Sequence, residues 1–227
     1  MDEQIKAFIR RSWDIIETPG DPAWAAKRRL ARALRRLNHL VICTAAPEAE
    51  LLEAAQRIEQ ALRTIEPFPA PTFLEQFQNG DYVQRPEVYA DRAWITGRSN
   101  PISPLAELEE GDGEVSATVC FENGYVGAPG WVHGGALAAV FDQLLGFVLI
   151  LGGTPCVTAE LTVRYHRPTP AHRQLRLRAW IEREQGRTVD LKASCALDGA
   201  ETASAQARFV RLDPAQFADT LSTTPSS

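Results

Sequence analysis

The segment WVHGGALAAVFDQLLGFVLILG, which runs from Trp131 to Gly152, decides the fold. Two adjacent glycines lie near its start, and the apolar residues after them recur at helical spacing: Leu137, Val140, Phe141, Leu144, Leu145 and Val148. The pattern predicts a helix of about four turns with one broad apolar face. That face must be buried, so the rest of the domain has to cover it.

A second face of the same helix carries small residues and a single charge, Asp142. This stripe follows i, i+3, i+4 spacing through Gly135, Ala138, Ala139, Asp142 and Gly146. Another backbone or a substrate can approach closely along it. An isolated carboxylate there costs free energy unless it is paired or functional. Asp142 is therefore the first candidate for chemistry, the alternative being a structural carboxylate that a Ser or Gln side chain caps.

Alternating apolar residues predict one strand before this helix, over 115–121, and four strands after it. The four cover 156–166, 175–181, 189–195 and 203–209. Asp198-Gly199 is a typical hairpin turn, and the four strands are expected to form a meander. In the longest strand, strict alternation places Thr158 on the polar face, opposite Leu161 and Tyr165. An antiparallel sheet wrapped around the helix gives an α+β fold.

The chain before this domain is predicted to be helical. One helix carries the apolar stripe from Ile5 to Ile16, a second begins at Asp21-Pro22, and a third begins at Pro47. The expected division of the chain is a helical N-terminal extension over 1–66, a proline-rich linker over 67–97, the sheet-and-helix domain over 98–212 and a flexible tail over 213–227. The motif residues all lie after residue 130, so the helices are expected to be unnecessary for the chemical step.

The second of these helices has an apolar side and a basic side. Its apolar positions are Leu30, Leu34, Leu37 and Val41, and its basic positions are Lys27, Arg28, Arg29, Arg32, Arg35 and Arg36. The third helix is acidic, so the two are expected to pair as an antiparallel hairpin. The alternative is a helix that binds DNA or grips a phosphate. The net charge of −5 argues against general nucleic-acid binding.

Composition narrows the class of protein further. The chain is 44% hydrophobic and 23% charged, as in ordinary globular domains. Four scattered cysteines without C-x-x-C spacing, and a start without a signal-peptide or transit pattern, predict a cytoplasmic protein. No segment is expected to cross a membrane. There is no G-x-S-x-G, no metal-ligand spacing and no phosphate-binding loop, so no metal or cofactor is expected.

Several short motifs together resemble a known family. They are His133-Gly134-Gly135, Asp142 nine residues after the histidine, Gly146, the segment 158–165, Arg167-Pro168 and Gly186-Arg187. They resemble the hot-dog-fold acyl-CoA thioesterases of the phenylacetyl-CoA thioesterase type, in the 4-hydroxybenzoyl-CoA thioesterase superfamily. The resemblance is strongest to the branch that contains the human mitochondrial long-chain acyl-CoA thioesterases. It covers about residues 98–212 and leaves the N-terminal helices unexplained.

The resemblance implies hydrolysis of an acyl-CoA or acyl-carrier-protein thioester by a homodimer or a dimer of dimers, with the active sites at the interface. A backbone N–H near Gly135, in the segment His133 to Gly135, would polarise the thioester carbonyl. Asp142 would act as general base or nucleophile, and Thr158 would position water. By the same resemblance, four residues would contact coenzyme A: Arg164, His166, Arg187 and Thr188.

Helix geometry independently favours a site shared between two subunits. Gly135 and Asp142 are seven residues apart, which is roughly 10 Å along a helix axis. One thioester carbon cannot contact both, because catalytic contacts are about 3 Å. His133 is expected to bond to backbone and fix its loop rather than act as an acid or base. A different class of function remains open, a non-catalytic acyl-CoA sensor with a DNA-binding helical N-terminus.

Overall fold

The computed structural model describes residues 21–68, 71, 75, 79, 90–111, 113–151 and 156–211. The helix predicted over Ile5 to Ile16, the tail over 213–227 and most of the linker over 67–97 lie outside the described residues. Helix α1 spans Pro22–Cys43, α2 spans Glu48–Ile65 and α3 spans Gly134–Leu151. The strands are β1 Glu107–Glu110, β2 Glu114–Cys120, β3 Cys156–Tyr165, β4 Gln174–Gln185, β5 Thr188–Leu197 and β6 Ala200–Arg211.

Helix α3 is the centre of the domain, as its sequence predicts. Its apolar face is buried and the six-stranded antiparallel sheet packs around it. By length and composition alone α3 is long and apolar enough to cross a bilayer, a test that a buried core helix also passes. Here the inner face of the sheet covers it, with side chains such as Leu177, Leu191 and Phe209. The predicted α+β hot-dog fold is therefore confirmed.

The order of strands in the sheet differs from a meander. The order is β1-β2-β4-β5-β6-β3, so β3 pairs with β6 at the sheet edge instead of with β4. Of the four strands after α3, β4, β5 and β6 are joined as successive hairpins, with Asp198 and Gly199 at positive φ in the predicted turn. Helix α3 lies between β2 and β3 in the chain. At the edge of the sheet, β3 lies alongside α3.

Helix α1 begins as predicted but packs through a different face. Asp21 caps it by accepting the Ala23 N–H at 2.7 Å, with Pro22 at the first helical position. Its most buried residues are Trp24, Arg28 and Ala31, whereas several of the predicted apolar positions are exposed. The face that packs on the domain is therefore a stripe through Trp24, Arg28, Ala31 and Arg35, while Lys27, Arg29, Arg32 and Arg36 stay exposed.

Two arginines explain this orientation. Arg28 makes a bidentate pair with Asp91 at 2.7 Å, and the side chains of both residues are at least nine-tenths buried. Arg35 donates to the carbonyl oxygens of Ser103 at 2.9 Å and Asn100 at 2.7 Å. Paired charges with all donors directed at acceptors can be buried, and an arginine fork is well suited to this geometry.

Helix α2 does not form the expected hairpin core with α1. No α2 residue is buried, and its apolar residues Leu51, Leu52, Leu62 and Ile65 are all exposed. Because Arg28 and Arg35 are directed at residues 91–103, they are unavailable to pair with the glutamates of α2. The prediction of a paired hairpin is wrong, because α2 buries no apolar residue against α1.

The Arg28–Asp91 pair gives a direct test of α1 docking. We expect Arg28→Ala to lower the free energy of unfolding by about 3 kcal/mol, because it leaves the buried Asp91 carboxylate without its cation. Arg29→Ala, one position away on the exposed side, is expected to change it by less than about 0.5 kcal/mol. Urea denaturation measures the free energy of unfolding of the two variants. Equal values would show that the Arg28–Asp91 ion pair does not hold α1 on the domain.

Candidate active site

The N-terminus of α3 leaves one backbone donor free. His133 Nδ1 accepts the Gly135 N–H at 3.0 Å, and the His133 carbonyl accepts the N–H groups of Ala136 and Leu137 at 3.0 and 3.2 Å. Among the described residues, none accepts a hydrogen bond from Gly134 N–H. The free donor at this helix end is therefore Gly134, one residue before the Gly135 position indicated by the sequence, and His133 acts as a backbone cap.

Tyr165 and two close approaches hold this helix end in place. The Tyr165 hydroxyl donates to the Gly134 carbonyl at 2.7 Å, and partial burial raises the pKa of Tyr165 above its ordinary value. A Cβ on Gly134 would lie 3.0 Å from that hydroxyl, and one on Gly127 would lie 3.0 Å from the Cα of His133. A side chain at either position would therefore require Tyr165 or His133 to move by a few tenths of an ångström.

Asp142 lies two turns further along α3, beside the start of β3. Its Oδ1 accepts a hydrogen bond from the Thr158 hydroxyl at 2.9 Å, and its side chain is half-buried. Gln143 does not cap it, because Gln143 Oε1 accepts the Ile95 N–H at 2.9 Å. The carboxylate therefore has one named protein partner, Thr158, and its second oxygen has no protein hydrogen bond among the described residues.

A β-bulge is what brings Thr158 to Asp142. Thr158 pairs with Phe209 and Glu160 pairs with Arg208, so Ala159 is an extra residue in β3. Paired residues of antiparallel strands lie on the same face, and Phe209 faces the core while Arg208 is exposed. Thr158 therefore faces α3 together with Leu161 and Tyr165. Strict alternation placed it on the opposite face, and that prediction is wrong because of the bulge.

The two parts of the candidate site lie in separate cavities of one chain. A cavity of about 600 Å³ is lined by His133 and Gly134 together with Trp131, Tyr165, His166 and Thr169. Another of about 590 Å³ is lined by Asp142 and Thr158 together with Trp94, Gln143, Phe147 and Ile150. No residue lines both. One chain therefore separates the helix-end donor from the carboxylate, as helix geometry requires.

The residues that the resemblance assigns to coenzyme A also form two groups. Arg164 and His166 lie at the end of β3 near Gly134, where His166 Nε2 is 2.8 Å from Ser204 Oγ. Arg187 and Thr188 lie at the β4–β5 turn, near the start of β3 and Asp142. The ten residues of β3 separate the groups by roughly 30 Å. Arg164 pairs with Ser204 on the outer face of the sheet, away from α3.

Sequence reasoning missed the role of Tyr165. Its alternation with Leu161 and Val163 indicated only an apolar core position, and nothing local reveals that its hydroxyl reaches the first turn of α3. Gly127 was missed for a similar reason, since one glycine in a loop rich in glycine and proline gives no distinct signal.

Comparison with known proteins agrees with this architecture. The thioesterase superfamily model matches residues 129–194, which include the α3 motif and strands β3 and β4. The crystal structure of a thioesterase superfamily protein is 30% identical, with a TM-score of 0.70, over 81% of this chain and 90% of that chain. The chain belongs to the thioesterase superfamily and has its hot-dog fold.

The curated relatives carry a more specific name. The acyl-coenzyme A thioesterase THEM4 of Mus musculus is 33% identical over 92 residues, which is 39% of each chain. THEM4 of Bos taurus is 32% identical over 102 residues, 43% of this chain and 42% of the relative. The chain thus spans about two fifths of the length of these relatives.

The crystal structure matches more than the sheet domain. It covers 81% of 227 residues, about 184, whereas Glu107–Arg211 holds 105. The structural likeness therefore includes part of the chain before the sheet, where α1 and α2 lie.

Alanine substitutions at two glycines of α3, Gly134 and Gly146, provide a matched pair that tests the close approach of Tyr165 to the helix end. Gly146→Ala meets no atom within 4 Å and is expected to raise the free energy of unfolding by about 0.5–1 kcal/mol through helix propensity. Gly134→Ala must displace the Tyr165 hydroxyl, so we expect no gain and a loss of about 1 kcal/mol. Chemical denaturation measures the free energy of unfolding of both variants. An equal increase in the two would show that Gly134 is not held against Tyr165.

Proposed function

We propose that this protein is an acyl-CoA thioesterase whose active site forms between two copies of the chain. The observation that carries the proposal is the division of the site. The free Gly134 N–H lies in one cavity, and the Asp142–Thr158 pair lies in the other. Membership of the thioesterase superfamily and relatives named acyl-coenzyme A thioesterase support the same chemistry.

The two halves suit the two tasks of thioester hydrolysis. An unpaired N–H at a helix N-terminus, where the dipole is positive, stabilises the oxyanion that develops on the thioester carbonyl. Asp142 takes a proton from water as the water oxygen bonds to the carbonyl carbon, and that proton passes to the departing sulfur as the C–S bond breaks. Thr158 holds one carboxylate oxygen and leaves the other for water. Direct attack by Asp142, followed by hydrolysis of the anhydride, is the alternative route.

The exposed edge of the sheet supports the dimer. Among the described strands, β3 has a partner on one side only, β6, and it carries exposed apolar residues such as Val157 and Tyr165. An open edge of this kind is a template for pairing with another strand. In a two-fold dimer with β3 antiparallel to its copy, the Tyr165 end of one strand lies beside the Thr158 end of the other. The Gly134 half of one chain then meets the Asp142 half of its partner.

The same arrangement joins the two groups assigned to coenzyme A. In the dimer, Arg164 and His166 at the end of one β3 lie near the end of the partner's sheet that carries the second group, Arg187 and Thr188. Arginine side chains recognise phosphate groups well, and the nucleotide end of coenzyme A carries several. Coenzyme A therefore enters as part of the substrate, and an acyl carrier protein is the alternative thiol.

Removal of the carboxylate tests the enzyme activity. Asp142→Asn keeps the size and the hydrogen bond from Thr158 and removes the base, so we expect kcat for thiol release to fall by at least about 100-fold. The assay is thiol release from a panel of short-chain, long-chain and aromatic acyl-CoAs, with matched acyl-carrier-protein thioesters. The melting temperature and oligomeric state serve as controls. A wild-type protein that releases thiol from none of these substrates contradicts the proposed function.

Replacement of the Gly134 N–H tests the other half of the proposed site, the donor that stabilises the oxyanion. Gly134→Pro removes the N–H at the first helical position, where proline is well tolerated, while Gly134→Ala keeps the N–H and adds a similar Cβ. We expect the proline variant to lose about 100-fold or more in kcat relative to the alanine variant.

Mixed dimers then test whether the site is shared. Random exchange of Asp142→Asn subunits with Gly134→Pro subunits makes half of the dimers mixed, each with one intact site. We expect about a quarter of wild-type activity from the mixture, although each parent is inactive. Activity no higher than that of the two parents would show that both groups act within one chain.

A further inference from the structure

Helix α1 presents one continuous stripe to the domain, and the last residue of this stripe contacts the loop that leads to the active site. The docking stripe consists of Trp24, Arg28, Ala31, Arg35 and His39, spaced three or four residues apart. Arg28 and Arg35 fix the rotation of the helix through Asp91 and through the carbonyl groups of 98–103. With the rotation fixed, His39 one turn after Arg35 is held against residues 123–125.

His39 accepts a hydrogen bond from the Gly124 N–H, a backbone donor that finds no acceptor within the loop that contains Gly124. Residues Asn123–Tyr125 form a short 3₁₀ turn, and its N-cap residue, Glu122, makes no side-chain cap hydrogen bond. His39 Nδ1 accepts the Gly124 N–H at 3.1 Å instead. A Cβ on Gly124 would lie 3.0 Å from this nitrogen, so the backbone approaches the ring closely.

The neighbouring Tyr125 connects this turn to the active-site loop. The His39 ring lies 5.6 Å from the Tyr125 ring, and the Tyr125 hydroxyl donates to the Ile102 carbonyl at 2.7 Å. Burial raises the pKa of Tyr125 to about 12, so the donor stays protonated. The Tyr125 carbonyl accepts the His133 N–H at 2.7 Å. His133 in turn caps α3 and leaves the Gly134 N–H free.

We propose that His39 is a positioning residue for the Gly134 N–H and that α1 is part of the catalytic apparatus rather than an appendage. The path has two hydrogen bonds, from His39 to the Gly124 N–H and from the Tyr125 carbonyl to the His133 N–H. Loss of the first leaves the exposed Gly124 N–H to water and releases the 123–125 turn from His39, and this turn carries the acceptor of the second. An oxyanion donor must be held within about 0.5 Å of its productive place, so a small shift lowers kcat. This inference rests on the proposed function.

The experiment compares three variants of the full-length chain. His39→Leu keeps apolar bulk but has no acceptor, His39→Gln restores an acceptor oxygen, and Asn38→Ala changes the exposed neighbour. We expect His39→Leu to lower kcat for thiol release about 10-fold with KM within about twofold of wild type, and His39→Gln to recover most of the loss. Asn38→Ala is expected to match wild type.

Amide hydrogen exchange of His133 provides a readout that does not depend on activity. We expect exchange of the His133 N–H to accelerate in His39→Leu, to return toward the wild-type rate in His39→Gln and to be unchanged in Asn38→Ala. A wild-type kcat or unchanged His133 exchange in His39→Leu overturns the proposal. So does a loss of activity that only follows a lowered melting temperature.

Asp142→Asn in the same assay separates this inference from the proposed function. If Asp142→Asn is inactive and His39→Leu is fully active, only the positioning role fails. If the wild-type protein itself releases thiol from none of the substrates, the proposed function fails and the positioning role, which rests on it, fails with it.

Discussion

One rigid helix carries both groups on which the proposed chemistry depends, and the rest of the structure follows from this constraint. Gly134 and Asp142 are on α3 two turns apart, and burial of the apolar face of α3 in the sheet prevents any bend that would bring them together. Each group therefore opens into its own cavity. A single thioester can meet both kinds of group only if a second α3 supplies one of them.

In the proposed dimer, the edge strand β3 is the element through which the second helix would be brought in. It lies beside α3, its outer edge has no partner among the described strands, and each of its ends borders one half of the site. The bulge at Ala159 adds a residue where strict alternation would turn Thr158 outward. One irregularity in the strand thus gives Asp142 its hydrogen-bond partner, while the remainder of β3 keeps the alternation that a sheet requires.

Helix α1 has a closer relation to this site than its place in the sequence suggests. Its arginines resembled a solvated or nucleic-acid-binding face, yet Arg28 and Arg35 are bonded to residues of the domain. Burial of arginines costs free energy that only matched acceptors offset, so this docking has a defined rotation and register. The exposed apolar residues of α2 show that the two helices do not stabilise each other mainly through a shared core.

The sequence by itself determined the central helix, its single carboxylate, most of the strands and the family, because hydrophobic periodicity and short motifs are local properties of the chain. It also predicted that one site would need two copies of the chain, since the rise of a helix is constant. Only the tertiary structure decided that β3 lies at the edge, that Thr158 faces Asp142, that Gly134 rather than Gly135 keeps a free N–H, and that α1 docks through arginines. These features depend on contacts between residues far apart in the chain, such as Arg28 with Asp91 and Tyr165 with Gly134, and no local pattern records such contacts.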